Sequence, residues 1–283
     1  MKSARISDLL RLPEGAVDLT SMDTRSTPGA PGDKAKTTSK FEALGGRLSD
    51  LQERLYAEGR SGEQRSVLVV LQGMDTSGKG GTIEHAMGFV DPQGVSIKAF
   101  GPPTREELSH DFLWRIRAAL PRPGIIGIFD RSQYEDVLIV RVHDLVPRSV
   151  WSRRYATINR FESRLVERGV RVIKVFLHIS LEEQRERLLA RLDDPTKHWK
   201  FNPRDLDERL LWHDYRAAYE AALERCNTAA APWYVVPADR KWYRNWAISQ
   251  LLVEQLEDMD PQWPAADFDV DAARTRLLTE QIG

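Results

Sequence analysis

The sequence predicts an α/β fold in which a parallel sheet is covered by helices on both faces. Three observations lead there. Short apolar runs alternate with amphipathic stretches of helical period along most of the chain. The strongest runs are continuous in their apolar character, as strands buried on both faces are. The first run also passes through a glycine-rich turn, Gly73-Met74-Asp75-Thr76-Ser77-Gly78-Lys79, straight into a helical stretch.

Residues 1–38 read as an arm. Its Ser26-Thr27-Pro28-Gly29-Ala30-Pro31-Gly32 stretch suits neither a helix nor a central strand, so the arm is expected to wrap the domain or stay partly loose. Phe41 to Glu58 carries Leu44, Leu48, Leu51 and Leu55 at helical spacing. Ser66 to Leu71 is the first buried strand, and a helix starts near Lys79. A second strand fits Val95 to Phe100. Thr104-Arg105-Glu106-Glu107 reads as a capping box opening a helix to about Leu120. A third strand, Ile125 to Phe129, ends in Asp130-Arg131-Ser132. Then follow a helix from Trp151 to Arg168 and a strand from Val170 to Leu177. Ser180-Leu181-Glu182-Glu183 reads as a second capping box, with its helix ending near Leu192. A long amphipathic helix fits Leu206 to Cys226, a short strand Trp233 to Val236, and a last helix Trp242 to Leu256. The reading is one domain over 39–260 with a movable helical lid at about 187–205, and a polar tail at 261–283.

The 283 residues balance 41 basic against 42 acidic side chains, a net charge of −1. That balance argues against a general nucleic-acid or membrane-surface binder. One cysteine, Cys226, cannot build a disulfide framework or a zinc site, and it fits a reducing cytosol. No apolar run approaches the ~18 residues a bilayer demands, and the N-terminus lacks a signal-peptide core. The expected location is cytoplasmic.

The glycine-rich turn matches G-x-x-x-x-G-K and sits between a strand and a helix. Its backbone N–H groups, with those of Gly73, Ser77, Gly78 and Gly80, can curl around a phosphate. Lys79 adds a mobile full charge. A Ser or Thr usually follows the lysine and ligates Mg²⁺, but Gly80 stands there. Asp75 is the candidate for the missing ligand or for a general base; alternatively it caps the turn. Asp130, at the carboxyl end of the third strand, can hold Mg²⁺, and Arg131 can clamp a phosphate in bidentate fashion. Arg187 and Arg191 share a helix face, and Lys197 and Lys200 follow, a set suited to a phosphoryl-transfer lid or to a solvated surface. Arg115 is a candidate for the acceptor site. His110 reads as structural, and the Trp233-Tyr234 and Trp242-Tyr243 pairs as core. Arg141, Arg148, Arg153, Arg154, Arg160, Arg164 and Arg168 form a basic stretch that faces either an anion or solvent.

Five strings together resemble the polyphosphate kinase 2 family: LQGMDTSGKGGTI (71–83), KAFGPPTREELSHDFLWRI (98–116), IFDRSQYEDVLIVRVH (128–143), ARLDDPTKHWKFNPRDLDER (190–209) and VVPADRKWYRN (235–245). The resemblance spans about residues 24 to 257. It implies a P-loop NTPase-like, thymidylate-kinase-like fold with a helical lid. It implies reversible phosphoryl transfer between inorganic polyphosphate and ADP, AMP or GDP, with Mg²⁺ or Mn²⁺, in a homodimer or homotetramer. By the same match Asp75 and Asp130 form the acidic pair around metal and acceptor. Lys79 and Arg131 contact phosphates, and Arg187, Arg191, Lys197 and Lys200 line the polyphosphate path. Two other readings remain at this point. One is a nucleoside monophosphate kinase with ATP as donor. The other is a nucleotide-binding regulator without turnover.

Overall fold

The structure is a computed structural model that describes residues 4–280. In chain order its elements are α1 (Ile6–Leu10), α2 (Lys34–Arg60), β1 (Ser66–Gly73), α3 (Lys79–Met87), β2 (Val95–Ala99), α4 (Arg105–Leu108), α5 (Trp114–Ala118), β3 (Ile126–Asp130), α6 (Ile139–Val142), α7 (Arg148–Glu167) and β4 (Val170–His178). There follow α8 (Leu181–Leu192), α9 (Arg204–Leu210), α10 (Trp212–Arg225), β5 (Trp233–Pro237), α11 (Lys241–Met259) and α12 (Val270–Thr279).

The five strands form one sheet in the order β2-β3-β1-β4-β5, and every pairing is parallel. β1 sits at the centre and is buried along its whole length, which explains its unbroken apolar run. Leu71 pairs with Asp130, so the end of β1 and the end of β3 emerge side by side. In open α/β sheets ligands bind beyond the carboxyl ends of the strands. The glycine-rich turn and Asp130-Arg131 both stand at that edge.

The arm wraps the domain. The buried Glu254 carboxylate of α11 accepts the backbone N–H groups of Ile6 and Ser7, at 3.0 and 2.9 Å. The Leu12 N–H donates to Trp233 O on the outer edge of β5. His178 Nε2 donates to Leu19 O at 3.0 Å, and Thr24 Oγ1 donates to the Asp239 carboxylate at 2.7 Å. Ile6, Leu10, Leu12 and Leu19 are buried in the core.

Several boundaries differ from the sequence reading. The helix expected at Phe41 begins at Lys34, capped by the Asp33 carboxylate, so the arm ends at residue 33. The capping box at Thr104 closes as expected, but its helix stops at Leu108 and a second one starts at Trp114. Ser109 Oγ donates to Glu106 O, and the Asp111 carboxylate accepts the Leu113 N–H. Such side chains offer the backbone partners that compete with a helical ladder. The second capping box is half made. Ser180 Oγ accepts the Glu183 N–H, whereas the Ser180 N–H goes to Asp239, and the Glu183 carboxylate pairs with Arg187. The long helix expected from Leu206 is interrupted at Leu211, and the tail carries the exposed helix α12. Among the described residues no helix is long and apolar enough to cross a membrane.

Candidate active site

β1 delivers the loop and α3 closes it. Gly78 has φ +100°, and a Cβ there would collide with Arg244 Nη1. Only glycine meets both constraints. Gly80, by contrast, faces open space. Lys79 Nζ donates to Gly73 O at 3.0 Å, which draws the side chain back over the loop. Burial, helped by nearby Arg131, pushes its ammonium below the usual lysine range, while Asp130, Asp75 and Glu135 pull the other way. Two hydroxyls of this turn, Thr76 Oγ1 and Ser77 Oγ, are buried without hydrogen-bond partners. Orphaned hydroxyls beside a ring of backbone amides suit a ligand rich in oxygen.

Arg131 adopts φ +65°, rare for a residue with a side chain, and its N–H is fixed by Leu71 O at 3.1 Å. The strained backbone aims its guanidinium at the loop, where Nη2 lies 3.5 Å from Asp75 Oδ1. Burial works against the Arg131 charge, but Glu135 and Asp75 outweigh it and raise its pKa. Asp75 and Asp130 both act on the charges of Lys79 and Arg131. Both are hard oxygen donors, and with the orphaned Ser77 hydroxyl they fit a divalent cation that takes its other ligands from phosphate and water. Among the described residues no cluster of three or more His, Cys, Asp or Glu forms a complete protein cage.

On the β3 side a cavity of about 380 Å³ opens beside Arg131. Its floor is a short turn, Gln133–Asp136, that the sequence reading did not anticipate. Glu135 and Asp136 line it, with Phe112, Arg115 and Arg154. Burial raises the Glu135 carboxyl, against the pull of Arg131 and Lys79. Arg154 holds Asp136 at 2.8 Å, and Arg115 Nη1 donates to Gly101 O at 2.9 Å. Arg115 thus borders this cavity. His110 stacks on Trp114 at 4.3 Å and takes no part in the charged cluster.

The opposite wall is cationic. Burial, together with Arg187, Arg244 and Lys197, lowers the Lys241 ammonium against the pull of Glu183. Burial, then Arg187, brings the Arg244 guanidinium down to about 10.

Arg187 departs from its expected role. Its side chain is buried and donates to Thr76 O and Ser77 O at 2.9 Å, to Ala238 O at 2.6 Å and to Asp239 O at 3.2 Å, and it pairs with Glu183 at 2.8 Å. A guanidinium with its donors already used braces the loop from behind; it is not a free phosphate ligand. Arg191 donates to Lys200 O, Lys197 pairs with Asp194 at 2.6 Å, and Lys200 lies over the exposed Trp199 ring. Lys197 and Trp199 are exposed, and Arg191 lies close behind them at the end of α8.

The polyphosphate kinase 2 family model matches residues 32–264. The chain belongs to the polyphosphate kinase 2 family. It is 49% identical over 252 residues to an AMP/ADP-polyphosphate phosphotransferase of Meiothermus ruber, covering 89% of this chain and 93% of that one. It is 45% identical to an ADP-polyphosphate phosphotransferase of Rhodopseudomonas palustris, covering 82% of each. The polyphosphate kinase 2 structure from Arthrobacter aurescens TC1 superposes with a TM-score of 0.95 at 50% identity, over 98% of both chains. As a kinase of this family, the protein keeps its loop, its Asp-Arg pair and its cationic wall on one edge of the sheet.

The sequence reading missed Glu135, Tyr219 and Asp205 as site residues. Tyr219 OH donates to Gly73 O at 3.0 Å, from a helix distant in sequence. The Asp205 carboxyl meets Asp75, and burial together with that neighbour raises its pKa. Glu135 and Asp205 both lie within quoted family strings, whereas Tyr219 lies in none. Arg244 had been left without a role.

Proposed function

We propose that this kinase transfers a phosphoryl group reversibly between inorganic polyphosphate and a nucleotide, with ADP and AMP as acceptors and GDP as a further one. The observation that carries this reading is the two-sidedness of the site. On one side of Lys79 and the loop stand Lys241 and Lys197, suited to a polymeric anion, with the buried Arg244 guanidinium against Ser77 O. Arg131 faces the 380 Å³ cavity on the other, large enough for a nucleotide. The names of the Meiothermus and Rhodopseudomonas relatives support polyphosphate with AMP or ADP.

In this reading Lys79 and the loop amides hold the donor's terminal phosphates. Arg131 brings the acceptor phosphate into line and neutralises charge on the transferring group. Arg115, held by Gly101 O beside Phe100, borders the acceptor cavity and orients the nucleotide. Asp75 and Asp130 would hold Mg²⁺ or Mn²⁺, which supplies charge neutralisation at the phosphate oxygens. Arg191, Lys197 and Lys200 guide the polymer where the lid, at about 187–205, meets the site. Little acid–base chemistry is needed, because phosphoryl transfer rests mainly on positioning and electrostatics.

The test is transfer followed by ³¹P NMR. The protein, Mg²⁺ and long-chain polyphosphate are incubated with ADP in one tube and AMP in another, without ATP. A growing γ-phosphate signal with ADP, or β-phosphate signal with AMP, supports the reading and identifies the acceptor. Transfer that appears only with ATP as donor replaces it with a nucleoside monophosphate kinase. No transfer from any donor replaces it with a nucleotide-binding regulator.

A further inference from the structure

The basic stretch on α7 is sorted by the fold into separate jobs. Arg154 turns toward the acceptor cavity and pairs with Asp136. Arg153 and Arg160 point outward and are exposed. Arg148 instead joins Arg141 of α6, seven residues before it, and Arg225 at the end of α10, which is distant in sequence. The three line a groove of about 420 Å³ together with Trp151, Ser152 and Ala221. No carboxylate lines it, and none of the three arginines has an ion-pair partner among the described residues. The ion pairs nearest to it involve other side chains: His143 with Glu208, and Arg154 with Asp136.

We propose that this groove binds a stretch of polyphosphate remote from the reacting end, as a second anchoring site for the polymer. Three unpaired guanidiniums repel one another, and in a chain of net charge −1 their convergence is local. An anion offsets that repulsion. The guanidinium fork matches phosphate oxygens, and Ser152 adds a hydroxyl donor. Arg141 covers one face of the Trp151 ring at 5.2 Å, which fixes its guanidinium at the groove. The groove also lies next to the site. α6 is a wall with two faces: Ile139 and Val140 line the acceptor cavity, and Arg141 lines the groove. A helix is about 10 Å across, so a flexible polymer can span the distance.

The inference rests on polyphosphate being a substrate, and the experiment separates the two. Arg148→Ala/Arg225→Ala is compared with Arg153→Ala/Arg160→Ala, which removes the same charge outside the groove. Binding of end-labelled long-chain polyphosphate is titrated by anisotropy at several salt concentrations. KM is measured with long-chain polyphosphate and with tripolyphosphate. The groove variant is expected to raise KM for the long chain about tenfold. Its KM for tripolyphosphate, its KM for ADP and its kcat stay as in the control variant. Its log-log salt slope becomes shallower by about 1.4, two contacts at ~0.7 each. Equal effects from the two variants, equal effects on both chain lengths, or a changed KM for ADP would overturn the proposal. If the wild type transfers nothing from polyphosphate, the reaction reading falls, while the salt slope still decides whether the groove holds the polymer.

Discussion

Lys174 Nζ lies 2.7 Å from Glu162 Oε2, and neither side chain reaches solvent. The same carboxylate accepts from Gln133 Nε2 at 2.9 Å and from Tyr134 OH at 2.8 Å. This buried pair thus anchors the turn that presents Glu135 and Asp136 to the cavity beside Arg131. Removing one partner strands the other. Lys174→Met alone is expected to cost about 3–5 kcal/mol of stability. Lys174→Met/Glu162→Leu is expected to cost less than the sum of the single changes. Urea denaturation of the four proteins of the cycle measures this; additive losses would show that the pair is uncoupled.

Lys79→Ala and Asp130→Ala should each abolish polyphosphate-dependent turnover while leaving the thermal midpoint nearly unchanged. Asp75→Ala should do the same, because Gly80 offers no hydroxyl to take over as a metal ligand. Turnover by ³¹P NMR and midpoints by calorimetry check all three. Retained activity in Asp75→Ala would return that residue to a turn-capping role.

Arg187→Met should lose both activity and stability, since it removes a buried brace from the loop and leaves Glu183 unpaired. The thermal midpoint should fall by several degrees, unlike that of Lys79→Ala. A variant with a normal midpoint and a raised KM for polyphosphate would restore Arg187 to the polymer path.

His178 predicts a pH effect. Burial holds its imidazole below the usual histidine range, although Asp239 and Glu220 oppose that shift. The unfolded chain therefore takes up a proton before the folded one does. The stability from the neutral ring is complete above the ordinary pKa near 6.5, and is lost as pH falls through the lower folded value. Thermal midpoints should drop between about pH 7 and pH 5, and His178→Gln should flatten that slope. Parallel slopes in the two proteins would remove His178 as the cause.

The sheet was legible because β1 and β3 carry apolar runs and β4 one broken by Arg171 and Lys174, and the loop because its spacing has a mechanical reason. Lys79, Asp130 and Arg131 follow from the loop and the strand end alone. Arg187 was misread because a helix face gives spacing but not direction. Nothing in its neighbours reveals that four carbonyls from two other segments converge on it. Glu135 reaches the site through a short irregular turn that periodicity does not describe, and Tyr219 through a helix whose period shows the element but not the segment it meets. The break at Ser109-His110-Asp111 was hidden by a capping box that forms correctly but serves one turn only.

The arm carries a consequence for the order of synthesis. Arg5 pairs with Asp258, Ile6 and Ser7 rest on Glu254, and Leu12 docks on β5. These early residues find their partners more than 200 residues further along the chain. Until β5 and α11 have been made, Ile6, Leu10 and Leu12 lack the surface that they cover. The outer edge of β5 is likewise covered only when the arm returns. The nascent chain therefore holds an exposed apolar segment for nearly the whole of translation, the stage at which chaperones bind.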